Sequence, residues 1–142
     1  MRHPLRTATL AAVLLGCTSA TEVAPLTLPE GTLDAVVTAT ATSSAVTLQL
    51  QVTNPQSAPV TLEFSSGQQY DFQVRRPDGA VVWTWSADKV FTAALTSRTL
   101  AAGETLTFRE TWSPTERGTL IAEERLTSTS HVAAATAGFT IR

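Results

Sequence analysis

From residue 32 onward, apolar and polar residues alternate along short stretches that are separated by turn-forming residues. The clearest stretch places Val46, Leu48, Leu50 and Val52 on one side of the chain, with Thr and Gln between them. This alternation is typical of a β-strand with one buried face. The pattern predicts strands over residues 33–40, 46–53, 60–64, 70–75, 81–85, 105–112, 118–126 and 131–142.

Residues 86–98 show no regular period, and we expect a loop there with one helical turn. Pro77-Asp78-Gly79 predicts a tight hairpin turn in which Gly79 has a positive φ. No part of the chain has a sustained helical period, so the fold class is all-β. A sandwich of about seven to nine antiparallel strands is the first expectation. A closed barrel is the alternative.

The N-terminus carries the marks of export. Arg2 and Arg6 precede an uncharged, mostly apolar stretch, which ends at Leu14-Leu15-Gly16-Cys17. A basic start, a short apolar core and small residues at the cleavage point are typical of a signal peptide. The apolar stretch is much shorter than the roughly 20 residues that a membrane-spanning helix needs.

The last four residues of that segment match the bacterial lipobox. The match implies cleavage before Cys17 and acylation of this residue, and several acyl chains hold a protein firmly on a membrane. The sequence therefore divides into a signal peptide (1–16), a lipidated tether (17–31) and a sandwich domain (32–142). We expect an envelope lipoprotein. Thr18 follows the cysteine, which favours the outer membrane if the host has one and otherwise the outer face of the cell membrane.

Composition limits the chemistry that is available. Charged residues make up 15% of the 142 residues, and removal of Arg2 and Arg6 leaves eight cations against twelve anions. This balance argues against nucleic-acid binding. The segment after the lipobox has a single histidine, His131, in a polar stretch that we interpret as a solvated loop. Glu123 and Glu124 are adjacent and point to opposite faces of a strand, which we interpret as a solvated edge. We expect no metal, no cofactor and no catalytic residue.

Aromatic residues offer two interpretations. Trp83 and Trp85 share one face of the predicted strand and either fill the core or form an exposed pair that stacks a sugar or anchors a partner. Phe91 either plugs the irregular segment or belongs to an interface.

Several ordered motifs carry a resemblance to a known family. They are Val52-Thr53-Asn54, Pro59 to Phe64, Ser66 to Phe72, Gly79 to Ser86, Phe91, the Leu100 to Glu104 turn, Trp112 and Gly118. Together they resemble the BsuPI-type intracellular proteinase inhibitors. The resemblance implies an immunoglobulin-like β-sandwich and an inhibitor of a subtilisin-like serine protease. The residues that it assigns to the fold are Asn54, Gly67, Tyr70, Phe72, Gly79, Trp83, Ser86, Gly103, Glu104, Trp112 and Gly118.

The sequence thus predicts a non-enzymatic, membrane-anchored domain that binds another protein, and the family resemblance makes a serine protease the candidate partner. The candidate contact regions are the 77–79 hairpin and the 88–98 segment. The candidate contact residues are Asp78, Gly79, Trp83, Trp85 and Phe91. The alternatives are an envelope assembly protein that pairs through a sheet edge and a carbohydrate-binding module that uses the two tryptophans.

Overall fold

The computed structural model describes residues 32–142, which form nine strands and one short 3₁₀-helix. The strands are β1 (Asp34–Ala41), β2 (Val46–Thr53), β3 (Val60–Phe64), β4 (Tyr70–Arg75), β5 (Val81–Thr84), β6 (Thr96–Leu100), β7 (Thr105–Trp112), β8 (Gly118–Leu126) and β9 (Ala134–Ile141). The 3₁₀-helix spans Trp85–Asp88. The expected all-β fold is confirmed, and the strand number is at the upper end of the predicted range.

The strands pair antiparallel in three sheets. One sheet has the order β1-β2-β7, a second has the order β5-β4-β8-β9, and β3 and β6 form a two-stranded ribbon. The buried side chains of all three sheets meet in one hydrophobic core. This arrangement is an antiparallel sandwich, in which each strand buries alternate residues between the layers.

The alternation seen in the sequence is the alternation of the core. All four apolar residues of β2 are fully buried, and the Thr and Gln residues between them are only half-buried. Phe139 and Ile141 of β9 point into the core, as the sequence predicts. The largest fully buried apolar side chains are Phe64, Phe72, Leu48, Leu50, Leu62, Leu100, Leu120 and Ile141.

The irregular segment contains the predicted helical turn and also a strand that the sequence does not predict. β6 buries only Leu100, and its three middle residues are exposed. Because Leu100 is the single buried residue of β6, the sequence of this strand shows no alternation of apolar and polar residues. The structure also ends β5 at Thr84, so Trp85 begins the 3₁₀-helix instead of continuing the strand.

The interpretation of Glu123 and Glu124 as a solvated edge is wrong. β8 is an inner strand between β4 and β9. Glu123 is partly exposed and its carboxylate contacts Arg75 at 3.1 Å, whereas Glu124 points into the core and is completely buried. Among the described residues neither carboxyl oxygen of Glu124 has a hydrogen-bond partner, and burial raises its pKa to about 8.

Asn54 organises the turns at one end of the sandwich. Its buried side-chain amide donates to the carbonyl oxygens of Ala58, Leu100 and Ala101, and its side-chain oxygen accepts from the amide of Gln56. Its backbone bonds to the neighbouring turn at Gly103 and Glu104. The fold role that the family resemblance implies for Asn54 therefore has a physical basis, since one side chain satisfies the polar groups of two turns.

Residues 1–31, with the signal peptide, the Cys17 lipidation site and the tether of the sequence analysis, lie outside the described part. Across residues 32–142, no helix has the length and apolar character needed to cross a membrane.

Candidate functional site

Residues 89–95, called here the exposed loop, connect the 3₁₀-helix to β6 and carry the two most exposed large apolar side chains of the described chain. Val90 is 97% exposed and Leu95 is 88% exposed. Apolar side chains that contribute nothing to the core, placed close together on one loop, indicate a contact surface. The loop lies within the 88–98 segment that the sequence analysis selects.

The start of the exposed loop is fixed to the sheet through a buried carboxylate. Asp71 of β4 accepts hydrogen bonds from the Ser86 hydroxyl at 2.8 Å and from the Ser86 amide at 3.3 Å. Arg125 of β8 lies 3.6 Å from the same carboxylate. The Lys89 amide then donates to the Ser86 carbonyl, so the chain leaves the 3₁₀-helix in a fixed direction. Ser86, one of the family-motif residues, thus holds the base of the loop.

The middle of the exposed loop turns inward. The Phe91 ring lies 5.7 Å from the Trp85 ring, and the Gly67 amide donates to the Thr92 carbonyl at 3.0 Å. A Cβ atom on Gly67 would lie 2.6 Å from the Thr92 hydroxyl oxygen. A side chain at residue 67 would therefore force the Thr92 hydroxyl to move, whereas the nearest loop backbone atom stays at an ordinary 3.6 Å.

The end of the exposed loop is attached to the turn of residues 65–69, which contains Gly67. The Thr96 hydroxyl donates to the Ser66 carbonyl at 3.3 Å. On its other side the turn is held by Thr127, whose hydroxyl and amide donate to the carbonyls of Gln68 and Gln69. The 65–69 turn is therefore a fixed platform to which the loop is attached at two points.

A row of aromatic rings, called here the aromatic ladder, lies beside the exposed loop. It consists of Phe91, Trp85, Tyr70 and Phe108. Tyr70 stacks on Trp85 at 4.4 Å and on Phe108 at 4.5 Å. The Tyr70 hydroxyl donates to Glu110 at 2.6 Å, and burial together with that carboxylate raises the pKa of Tyr70 above its usual range. Trp83 stacks on Trp112 at 5.6 Å.

The two tryptophans of the sequence prediction are half-buried and belong to separate stacks against the core. They do not share a strand, and they do not form the flat exposed pair that sugar stacking requires. Phe91 is half-buried, and its ring contacts Trp85 at the outer end of the aromatic ladder. As partner-contact residues, these three aromatics stay a prediction.

The 77–79 hairpin, the other candidate region, forms the predicted tight turn. Gly79 has a φ of 92°, and its amide donates to the Arg76 carbonyl. The Asp78 carboxylate accepts from the Ala80 amide, so Asp78 serves the turn itself. Asp78 and Gly79 are exposed at its tip, and Pro77 beside them is exposed as well.

The remaining family-motif residues shape the fold. Gly103 and Gly118 have φ values of 72° and 97°, which only glycine adopts easily. The Glu104 carboxylate accepts from the Ala101 amide across the same turn as Gly103. Phe72 and Trp112 are buried in the core.

His131 lies in the connection between β8 and β9, where its Nδ1 is 3.0 Å from the Ser130 hydroxyl. That hydroxyl also donates to the Thr61 carbonyl and accepts from the Glu63 amide. The serine therefore covers the free edge of β3 with its hydrogen bonds. Within residues 32–142, no cluster of three His, Cys, Asp or Glu side chains is placed to hold a metal ion.

The sequence does not indicate Thr92 or Leu95 as contact residues, because a short apolar stretch without a period does not show whether its side chains are buried. The 88–98 segment as a contact region stays a prediction. The available signal is an uncharged run, Thr92-Ala93-Ala94-Leu95, in a segment that otherwise lacks strand alternation.

These features define an antiparallel β-sandwich that presents one fixed, apolar loop. The family model of the BsuPI intracellular proteinase inhibitors matches residues 33–131, and the chain belongs to this family. The domain is therefore a non-enzymatic proteinase inhibitor domain of this family, and the family implies a protease as the partner.

Solved structures with similar chain traces come from several protein types. A PapD-like domain of human CEP192 matches with a TM-score of 0.39 and 13% identity over 96% of this chain and 98% of that domain. A Bacteroides uniformis β-glucuronidase matches with a TM-score of 0.40 and 19% identity over 76% of this chain and 13% of that enzyme. The Pseudomonas fluorescens DNA glycosylase AlkC matches with a TM-score of 0.39 and 15% identity over 80% of this chain and 28% of that enzyme. No curated protein matches the chain.

Proposed function

We propose that the protein is an exported lipoprotein that inhibits a subtilisin-like serine protease at the surface of a bacterial membrane. Cys17 carries the lipid, residues 18–31 give reach, and the sandwich blocks the protease by occupying its active-site cleft with the exposed loop.

The observation that carries this proposal is the combination of exposure and fixation in the loop. Val90 and Leu95 are almost fully exposed, yet hydrogen bonds and ring contacts hold the chain on both sides of them. A loop that is already ordered loses little conformational entropy when it binds, and this favours tight inhibition. An ordered loop is also a poor protease substrate, because cleavage needs a chain that can adapt to the active site.

The direct test is a titration of subtilisin-like, chymotrypsin-like and trypsin-like proteases with the full mature chain in detergent. We expect the activity of a subtilisin-like enzyme to fall to zero at a stoichiometric endpoint, with the inhibitor intact on a gel. Undiminished activity of every enzyme, or rapid digestion of the sandwich domain, would contradict the proposal.

The anchoring step has its own test in the Cys17→Ala variant expressed in bacteria. We expect this variant to leave the membrane fraction and to lack the mass of the acyl chains, because no other cysteine is present in the chain. Thr18→Ala is the control and should stay with the membrane. Equal membrane association of the Cys17→Ala variant would show that the lipid is not the anchor.

A further inference from the structure

We infer that residues 93–95 are the reactive segment of the inhibitor, and that Leu95 enters the primary specificity pocket of the protease. This inference rests on the proposed function and identifies the part of the exposed loop that does the work.

The backbone of residues 93–95 is free to pair with a partner. Within residues 32–142, the amides and carbonyls of Ala93, Ala94 and Leu95 make no hydrogen bond. The residues on either side are held, since Thr92 accepts from Gly67 and Thr96 donates to Ser66. A short segment with unpaired polar groups, held at both ends, can add to the substrate-binding strand of a protease by main-chain hydrogen bonds.

The side chains of this segment suit such pairing. Ala93 and Ala94 are small and exposed, so they allow the protease backbone to approach closely. Leu95 is the one large side chain of the segment and projects into solvent. Anchor residues of protein interfaces are large side chains that fill a pocket on the partner. Leucine burial in an apolar pocket provides that contact.

Val90 is equally exposed but is placed differently. Its neighbour Lys89 is bonded to Ser86, and its neighbour Phe91 packs on Trp85, so the chain turns back toward the domain on both sides. Within residues 32–142 the backbone of Val90 and Phe91 also makes no hydrogen bond, but the half-buried Phe91 ring ties this stretch to the domain. Residues 93–95 are all exposed and have no such ring contact. We therefore assign the pocket to Leu95. The matched control is Val132, an 80% exposed valine in the connection between β8 and β9, outside the exposed loop.

The charges of the exposed loop indicate whether the specificity pocket of the protease is acidic or apolar. Lys89 is the only cation of residues 89–95, and its ammonium group lies over the Trp85 ring at 4.9 Å, near Asp88. The free segment itself is uncharged. A protease with an acidic specificity pocket finds no partner there, whereas one with an apolar pocket does.

The surface beside Leu95 leaves room for the protease. Leu95 lines an open groove of about 300 Å³ together with Phe64, Thr96 and Thr129. This groove gives space beside Leu95 for residues of the enzyme that flank its specificity pocket.

The first test compares Leu95→Asp with Val132→Asp in the full mature chain, against the subtilisin-like enzyme that the unaltered protein inhibits. We expect Leu95→Asp to weaken inhibition by at least about 100-fold and Val132→Asp to change it by less than about fivefold. Both substitutions are on exposed side chains, so thermal unfolding should match the unaltered protein. Equal losses in both variants, or a loss only in Val132→Asp, would overturn the assignment.

The second test is a change of specificity. Leu95→Lys should reduce inhibition of the subtilisin-like enzyme and create inhibition of a trypsin-like enzyme, whose pocket binds a cation. Val132→Lys should not create it. Absence of new inhibition by Leu95→Lys would count against Leu95 as the pocket residue, while the parent's inhibition would leave the proposed function standing. If the unaltered protein inhibits no protease, the proposed function fails, and the inference fails with it.

Discussion

Raising the pH from about 4 to about 9 is expected to lower the free energy of unfolding by roughly 4 kcal/mol through one residue, Glu124. Burial raises the pKa of this carboxyl from 4.5 in the unfolded chain to about 8 in the folded domain. Between these two values the folded state binds a proton that the unfolded state has released. Stability from this group is therefore complete below pH 4.5 and is lost as the pH rises through about 8.

The measurement is urea unfolding of the unaltered protein and of Glu124→Gln at several pH values. The two proteins should be similar near pH 4, where the carboxyl is neutral in both states. Above about pH 8 the variant should be the more stable one, because it has no charge to bury.

Glu123→Gln is the matched control on the same strand. Its carboxylate is exposed and contacts Arg75, so the substitution should change stability by less than about 1 kcal/mol at any pH. A constant difference between Glu124→Gln and the unaltered protein across the pH range would show that Glu124 does not titrate in the core.

Replacement of Gly67 by alanine is expected to displace the exposed loop and to weaken inhibition about tenfold, while the sandwich stays folded. The added Cβ would lie 2.6 Å from the Thr92 hydroxyl oxygen, a separation that forces movement. The hydrogen bond between residue 67 and the Thr92 carbonyl should weaken, and the exchange of that amide proton should accelerate. Measurements of inhibition and hydrogen exchange check the two effects separately.

The Gly67→Ala defect should be reversed by a second substitution. Thr92→Ala removes the clashing oxygen and leaves neighbouring atoms at 3.6 Å or more from the new Cβ. The double variant Gly67→Ala/Thr92→Ala should therefore recover inhibition and amide protection. Gly67→Ala/Thr92→Val keeps a branched side chain and should recover neither. Rescue by valine would place the cause of the defect elsewhere.

Much of the fold follows from the sequence because a strand with one buried face shows alternating apolar and polar residues. β2 alternates without exception, and its four apolar residues are all fully buried. The hairpin at Gly79 is equally predictable, since proline, aspartate and glycine each fit one conformational requirement of the turn.

Two features were not predictable from alternation. β6 has a single buried residue, so tertiary position and not pattern makes it a strand. Glu124 occupies a core position on an inner strand, where the period predicts an apolar residue and the residue type predicts exposure. The glutamate side chain predicts an exposed position, whereas in the structure Glu124 is buried, as the strand period predicts.

The sequence indicates the candidate site only as a region, and its role in binding stays a prediction. An irregular segment beside an aromatic ladder marks a loop, but long-range contacts decide which of its residues are held and which are free. Gly67 and Thr92 are far apart in sequence, and neither residue type predicts that their backbones bond.

The attachments of the exposed loop to the 65–69 turn lie on both sides of residues 93–95, at Thr92 and Thr96, and not within that segment. Residues 93–95 contribute no side chain to the core and no hydrogen bond to the described domain. Their replacement therefore carries little penalty in stability. Substitution of these three adjacent residues, by natural variation or by library selection, should change the bound partner and leave the sandwich unchanged.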